Sequence, residues 1–218
     1  AGPAWPTAGR PVAPRAARGS AQVSHVRRRR PCVRRRPLET VEIPGVVAAV
    51  RRGAELAKQA DFDGVEIHGA NGYLLDQFLQ DSTNHRTDQY GGPIENRARL
   101  MLEVTDAAIA VWGAGRVGMH LAPRCDAHDM GDSNPAATFG YVATELGRRR
   151  IAFLCAREAE GPDSLGPQLK KAFGGVYIAN EAFTGASAEK ARPLYTSDAS
   201  DDLPRLDLRG RRIIKKNT

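Results

Sequence analysis

Residues 63–79 read Asp-Gly-Val-Glu-Ile-His-Gly-Ala-Asn-Gly-Tyr-Leu-Leu-Asp-Gln-Phe-Leu. Val65 and Ile67 alternate after Gly64, which predicts a short strand over about 63–68. Gly69 and Gly72 bracket a turn, and an apolar-periodic helix follows Tyr73. His68, Asn71 and Tyr73 therefore leave together from the carboxyl end of a strand. That is where (β/α) enzymes put the side chains that grip a small molecule.

Working outward, the flanking sequence repeats the same unit. Pro44 suits the first position of a helix running to about Gln59, with Val46, Val47, Val50, Leu56 and Ala57 on one stripe. A polar loop over 81–93 precedes a long helix that Pro93 opens and Gly113 closes. A second strand is predicted from Arg116 to Ala122, and Asn134 and Pro135 read as the cap and first residue of a helix to about Arg148. A third strand spans Ile151 to Ala156, a short helix Leu165 to Phe173, and a fourth strand Val176 to Asn180. Strands alternating with helices at this spacing predict an α/β fold, a partial (β/α)8 TIM barrel of about four βα units. Gly113-Ala114-Gly115-Arg116-Val117-Gly118 fits the GxGxxG dinucleotide fingerprint. Here a helix precedes it and a strand follows, the reverse of what that mechanism needs.

The net charge of +7 belongs to one segment. Residues 1–38 hold ten Arg and no Asp or Glu, leaving 22 basic against 25 acidic residues elsewhere. With 41% hydrophobic residues the rest can bury a core, and no apolar run approaches the ~18 residues of a membrane span. Cys32, Cys125 and Cys155 are sparse and odd in number, which points to a reducing, cytoplasmic setting. Cys125, Asp126, His128 and Asp129 lack a zinc spacing, so no metal is expected.

Both ends read differently from the middle. Three readings compete for the Arg/Pro/Ala-rich segment 1–38: a transit peptide, a basic arm for nucleic acid, or DNA translated out of frame. The abrupt change of pattern at Leu38-Glu39-Thr40 favours the third. The segment 193–218 reads as translated adapter DNA and is set aside. The expected domain is thus 39–192, shorter than the ~250 residues of a complete barrel.

The stretch 63–79 closely resembles the Old Yellow Enzyme family of FMN-dependent ene reductases. So does Ser82-Thr83-Asn84-His85-Arg86-Thr87-Asp88-Gln89-Tyr90-Gly91-Gly92, with Glu95-Asn96-Arg97. The resemblance implies an internal piece of such an enzyme, the fourth to seventh βα units, with FMN as cofactor and NAD(P)H as electron donor. The implied substrate is a small electrophilic alkene or carbonyl compound. It further implies that His68 and Asn71 bind the substrate carbonyl and that Tyr73 is the catalytic proton donor. A phenol, with an ordinary pKa of ~10, is protonated at neutral pH and can release one proton to a carbanion. Arg86, Asp88 and Tyr90 are expected to fix a loop by charge-assisted hydrogen bonds. Asn96 and Arg97 open a helix and read as surface capping as readily as anything else.

Two departures from the family stand out. His120 lies where the family carries an arginine facing the flavin, and histidine lacks both the fixed charge and the bidentate fork. Asn180, Glu181 and Ala182 match the turn that meets the flavin phosphate, with Ala182 where glycine is commoner. In the family the strands before and after this piece hold further flavin contacts, so the chain is expected to bind FMN weakly or not at all and to be inactive or impaired. The alternative is a non-catalytic, basic-tailed nucleic-acid-binding or interaction protein, which rests on the arginine runs alone.

Overall fold

The computed structural model describes residues 36–125, 130–159, 161–181 and 183–189, with the backbone of three short strands before them. Its centre is a four-stranded parallel sheet in the order of the chain. We label these strands β1 (Val65–Gly69), β2 (Val117–Leu121), β3 (Phe153–Arg157) and β4 (Tyr177–Asn180). The helices are α1 (Ile43–Gln59), α2 (Leu74–Leu79), α3 (Ile94–Trp112), α4 (Pro135–Arg148) and α5 (Gly166–Phe173). This is half of a (β/α) barrel wall, as the alternation of elements predicts. The glycine pattern at 113–118 indeed joins α3 to β2 through a single 3-10 turn, Ala114–Arg116.

Local signals set most boundaries. Pro93 caps α3, and Gly113 ends it at a φ of 76°, a conformation that spares glycine the usual Cβ clash. Asn134 caps α4 by accepting a hydrogen bond from the Ala137 N–H at 3.2 Å, with Pro135 in the first turn. The strands run slightly later than their apolar residues suggest: β1 extends to Gly69 and β3 to Arg157.

The two faces of the sheet bury different chemistry. Met119, Leu121, Leu154 and Ala156 point into the helix layer, where they meet Leu100, Met101, Phe139 and Leu169. The opposite face is the one a barrel turns inward. There the register aligns His68, His120, Cys155 and Ile178 in one row, with Glu66, Gly118 and Phe153 in the row beneath. Gly118 is required at its place, since a Cβ would come within 2.2 Å of the Phe153 ring.

Helix α1 keeps its predicted stripe but for one residue: Val46, Val47, Val50 and Ala57 pack half-buried against the core. Leu56 is an exposed residue, and only Ile43 and Ala54 of this helix are buried. Val46 and Val50 also line an apolar cavity of about 570 Å³ beside β1. Among the described residues of 1–38, Val12–Ala13 pairs with Arg36–Pro37 and Gln22–His25 with Arg28–Pro31. The segment 193–218 lies outside the described residues. Among the described residues, no helix is long and apolar enough to cross a membrane.

Candidate active site

The turn between β1 and α2 is held by buried polar side chains. Asn71 and Gly72 both adopt positive φ, 58° and 72°. Asn tolerates this left-handed region better than other non-glycine residues, because its short polar side chain can bond locally. The Gly72 N–H donates to the Asp76 carboxylate at 2.9 Å, and Gln77 donates to the Gly72 carbonyl. Asp76 is fully buried, and Gln80 donates to it at 2.8 Å. Burial pushes its carboxyl up to about 6, against the opposing pull of these two donors.

Behind the turn stands Arg97, which is no surface cap. It is buried, and its guanidinium donates to the carbonyls of Leu79 (2.8 Å) and Gly92 (3.0 Å) and to the Thr138 hydroxyl (3.0 Å). It also pairs with Asp132 at 3.3 Å. One side chain thereby ties the end of α2 to α3 and α4. Arg86 and Asp88 form an ion pair at 2.5 Å, and Arg86 also donates to the Leu38 carbonyl, so this loop is fixed as its charges suggest.

On this support His68 and Tyr73 come together, while Asn71 Oδ1 accepts a hydrogen bond from Arg157 Nη1 at 2.8 Å. The rings of His68 and Tyr73 have centroids 5.3 Å apart in an edge-to-face arrangement. Tyr73 is 59% exposed, at the N-cap of α2 rather than in its packing. Among the described residues, neither the ring nitrogens of His68 nor the Asn71 NH2 group has a hydrogen-bond partner.

His120 lies in the same row as His68, its register partner, with ring centroids 5.3 Å apart. Burial holds its imidazole below the ordinary histidine value; Glu66, 3.8 Å away, opposes this, while His68 and Arg157 add to it. The residue is thus a neutral donor or acceptor. Its Nε2 is buried and, among the described residues, has no hydrogen-bond partner. An unpaired ring nitrogen on the inward face fits a flavin, whose polar ring edge would satisfy it.

The rim of β4 is looser. Asn180 is exposed, and its carbonyl accepts from the Glu158 N–H at 2.8 Å. Glu181 takes a positive φ of 102° and pairs with Arg157 at 2.7 Å. Ala182 lies outside the described residues, as do Asp126, His128 and Asp129 of the metal-like cluster. Arg157 itself is a functional candidate that the strand assignment missed. Ending β3 at Ala156 leaves Arg157 in a loop, whereas the alternation Phe153, Cys155, Arg157 puts it on the inward face. Period-2 counting carried one residue further would have found it.

The sequence model of the NADH:flavin oxidoreductase / NADH oxidase family matches residues 8–160. The chain belongs to that family. The match starts well before Leu38, so it takes in much of the arginine-rich segment. A putative 12-oxophytodienoate reductase 3 of Oryza sativa subsp. japonica is 44% identical over 164 residues, 71% of this chain and 43% of the rice protein. The 12-oxophytodienoate reductase 1 of the same plant is 50% identical over 120 residues, covering 55% and 32%. Among solved structures, an Old Yellow Enzyme homologue from Zymomonas mobilis superposes with a TM-score of 0.81 at 36% identity, covering 85% of this chain and 54% of its own. Morphinone reductase in complex with tetrahydroNAD gives a TM-score of 0.81 at 40% identity, covering 88% and 55%. The chain spans about half the length of these structures, and the four strands are part of their TIM barrel.

Proposed function

We infer that this chain carries the substrate end of an FMN-dependent NAD(P)H oxidoreductase that reduces activated alkenes or related electrophilic carbonyl compounds. The observation that carries the reading is the pair of uncommitted donors, His68 and Asn71, at one strand end beside the exposed Tyr73. Relatives named as 12-oxophytodienoate and morphinone reductases support it.

Each side chain has a defined task. His68 donates from one ring nitrogen and Asn71 from its NH2, both to the carbonyl oxygen of the substrate. Donors preorganised where enolate charge develops contribute about 3 kcal/mol each to the transition state. Tyr73 holds a proton at its Oη for the α-carbon. FMN, when bound, supplies the hydride that NAD(P)H provides. His120 Nε2 would meet its ring, and the turn of Asn180, Glu181 and Ala182 its phosphate. The free thiols Cys125 and Cys155 suit a cytoplasmic enzyme.

A fluorescence titration of FMN with the full chain tests the reading. Saturable quenching is expected, weakened in His120→Ala, and weak overall in a chain half as long as its relatives. NADPH consumption with a cyclic enone is expected to fall about 10²-fold or more in Tyr73→Phe, with FMN affinity unchanged. Absence of saturable FMN binding ends the reading.

A further inference from the structure

We propose that Arg157 is the positioning residue for Asn71, fixing which end of the carboxamide is offered to a ligand. The proposal rests on the substrate-binding reading of His68 and Asn71. Arg157 is the last residue of β3 and the register partner of Asn180. Its side chain crosses the end of β2 to the rim of β1, where Nη1 donates to Asn71 Oδ1 at 2.8 Å. Two strand spacings are about 10 Å, a span that an extended arginine covers. Its Nη2 donates to Glu181 Oε1 at 2.7 Å, so the guanidinium is held from both sides of the rim.

The chemistry of the pair dictates the orientation. The two ends of an asparagine carboxamide are nearly the same shape, and only their partners distinguish them. A guanidinium has five N–H donors and no acceptor. The atom of Asn71 facing it is therefore the oxygen, and the NH2 is turned away. A substrate carbonyl needs a donor, so this orientation is the productive one beside His68. Without Arg157 the amide would flip freely, and in half of its orientations two oxygens would face each other. The side chain of Arg157 is 36% exposed, and beside Asn71 and Glu181 it meets Cys125 Sγ at 3.8 Å.

The test uses the full chain labelled with 15N-asparagine. The side-chain NH2 signal of Asn71 is assigned by its loss in Asn71→Asp. In Arg157→Met this signal is expected to move toward the free-amide position. In Arg157→Lys, which keeps a donor, it stays near that of the wild type. In protein saturated with FMN, Arg157→Met is expected to raise the KM for a cyclic enone about tenfold, and Arg157→Lys to restore most of it. Asn71→Asp turns the contact into an ion pair, so its unfolding midpoint should not drop while enone binding is lost. An unmoved Asn71 signal in Arg157→Met, an unchanged KM, or a lower midpoint in Asn71→Asp overturns the proposal. If the wild type binds no FMN, the functional reading fails by itself, and the signal and midpoint decide this proposal.

Discussion

The rims of β1 and β4 are both at edges of the same sheet, yet they are built on different terms. At β1 the turn is braced from below: Asp76, Gln77 and Arg97 are buried, and their bonds reach backbone groups of the turn, α2 and the loop before α3. At β4 no residue of the strand is fully buried, and the turn is joined to the rest by Arg157 and by the Glu158 N–H. The difference teaches where preorganisation is stored. The end that reads as gripping a substrate carbonyl is fixed by its own polar core, whereas the end that reads as meeting a phosphate depends on a half-exposed ion pair.

The contrast can be broken most severely at Arg97. Arg97→Met takes the cationic partner from the Asp132 carboxylate, which keeps hydrogen bonds from Asp81, Asn134 and Thr138, and strips hydrogen bonds from two carbonyls. A loss of about 3–5 kcal/mol is expected in urea unfolding, the range for removing one member of a buried pair. A loss below 1 kcal/mol would show that β1 is no better braced than β4.

Asp76 gives a pH-dependent version of the same test. Its folded-state value near 6 lies above that of an unfolded carboxyl, so the folded state binds the extra proton between about 4 and 6. The contribution of this group is present in full below that window and is lost as pH rises through 6. Urea unfolding of wild type and Asp76→Asn from pH 4 to 7.5 should therefore show the wild type losing ground as pH rises, with the difference levelling off above pH 7. A constant difference would mean that the carboxyl is not held in a desolvated site.

The turn itself is sharpened by Asn71→Ala and Asn71→Gly. Alanine at the positive φ of Asn71 should lower stability by about 1–2 kcal/mol, and glycine should not. The smallest effect is expected at β4. Glu181→Gln removes a half-exposed ion pair and should change stability by less than about 1 kcal/mol.

What was legible in the sequence follows the range of the forces involved. Pro93, Gly113, Asn134 and Pro135 act through their own φ angles and nearest amides, so α3 and α4 could be bounded from the chain alone. His68, Asn71 and Tyr73 were legible because a strand, a turn and a helix start are all written within nine residues. Arg97 and Arg157 were not. Arg97 sits at a helix start, where exposed charge is the ordinary expectation, and its partners other than Gly92 lie 18 to 41 residues away. Arg157 meets Asn71 across 86 residues, and that contact exists only because β2 lies between them. Leu56 failed for a related reason: periodicity gives a stripe, but the neighbours decide how wide it is.

The ring of Phe153 against Gly118 has one more consequence. It lays an aromatic ring across the wall one row, about 7 Å, below His68 and His120, with the Glu66 carboxylate in the same row. A group resting against the wall at that level meets a ring between β2 and β3 rather than an open notch.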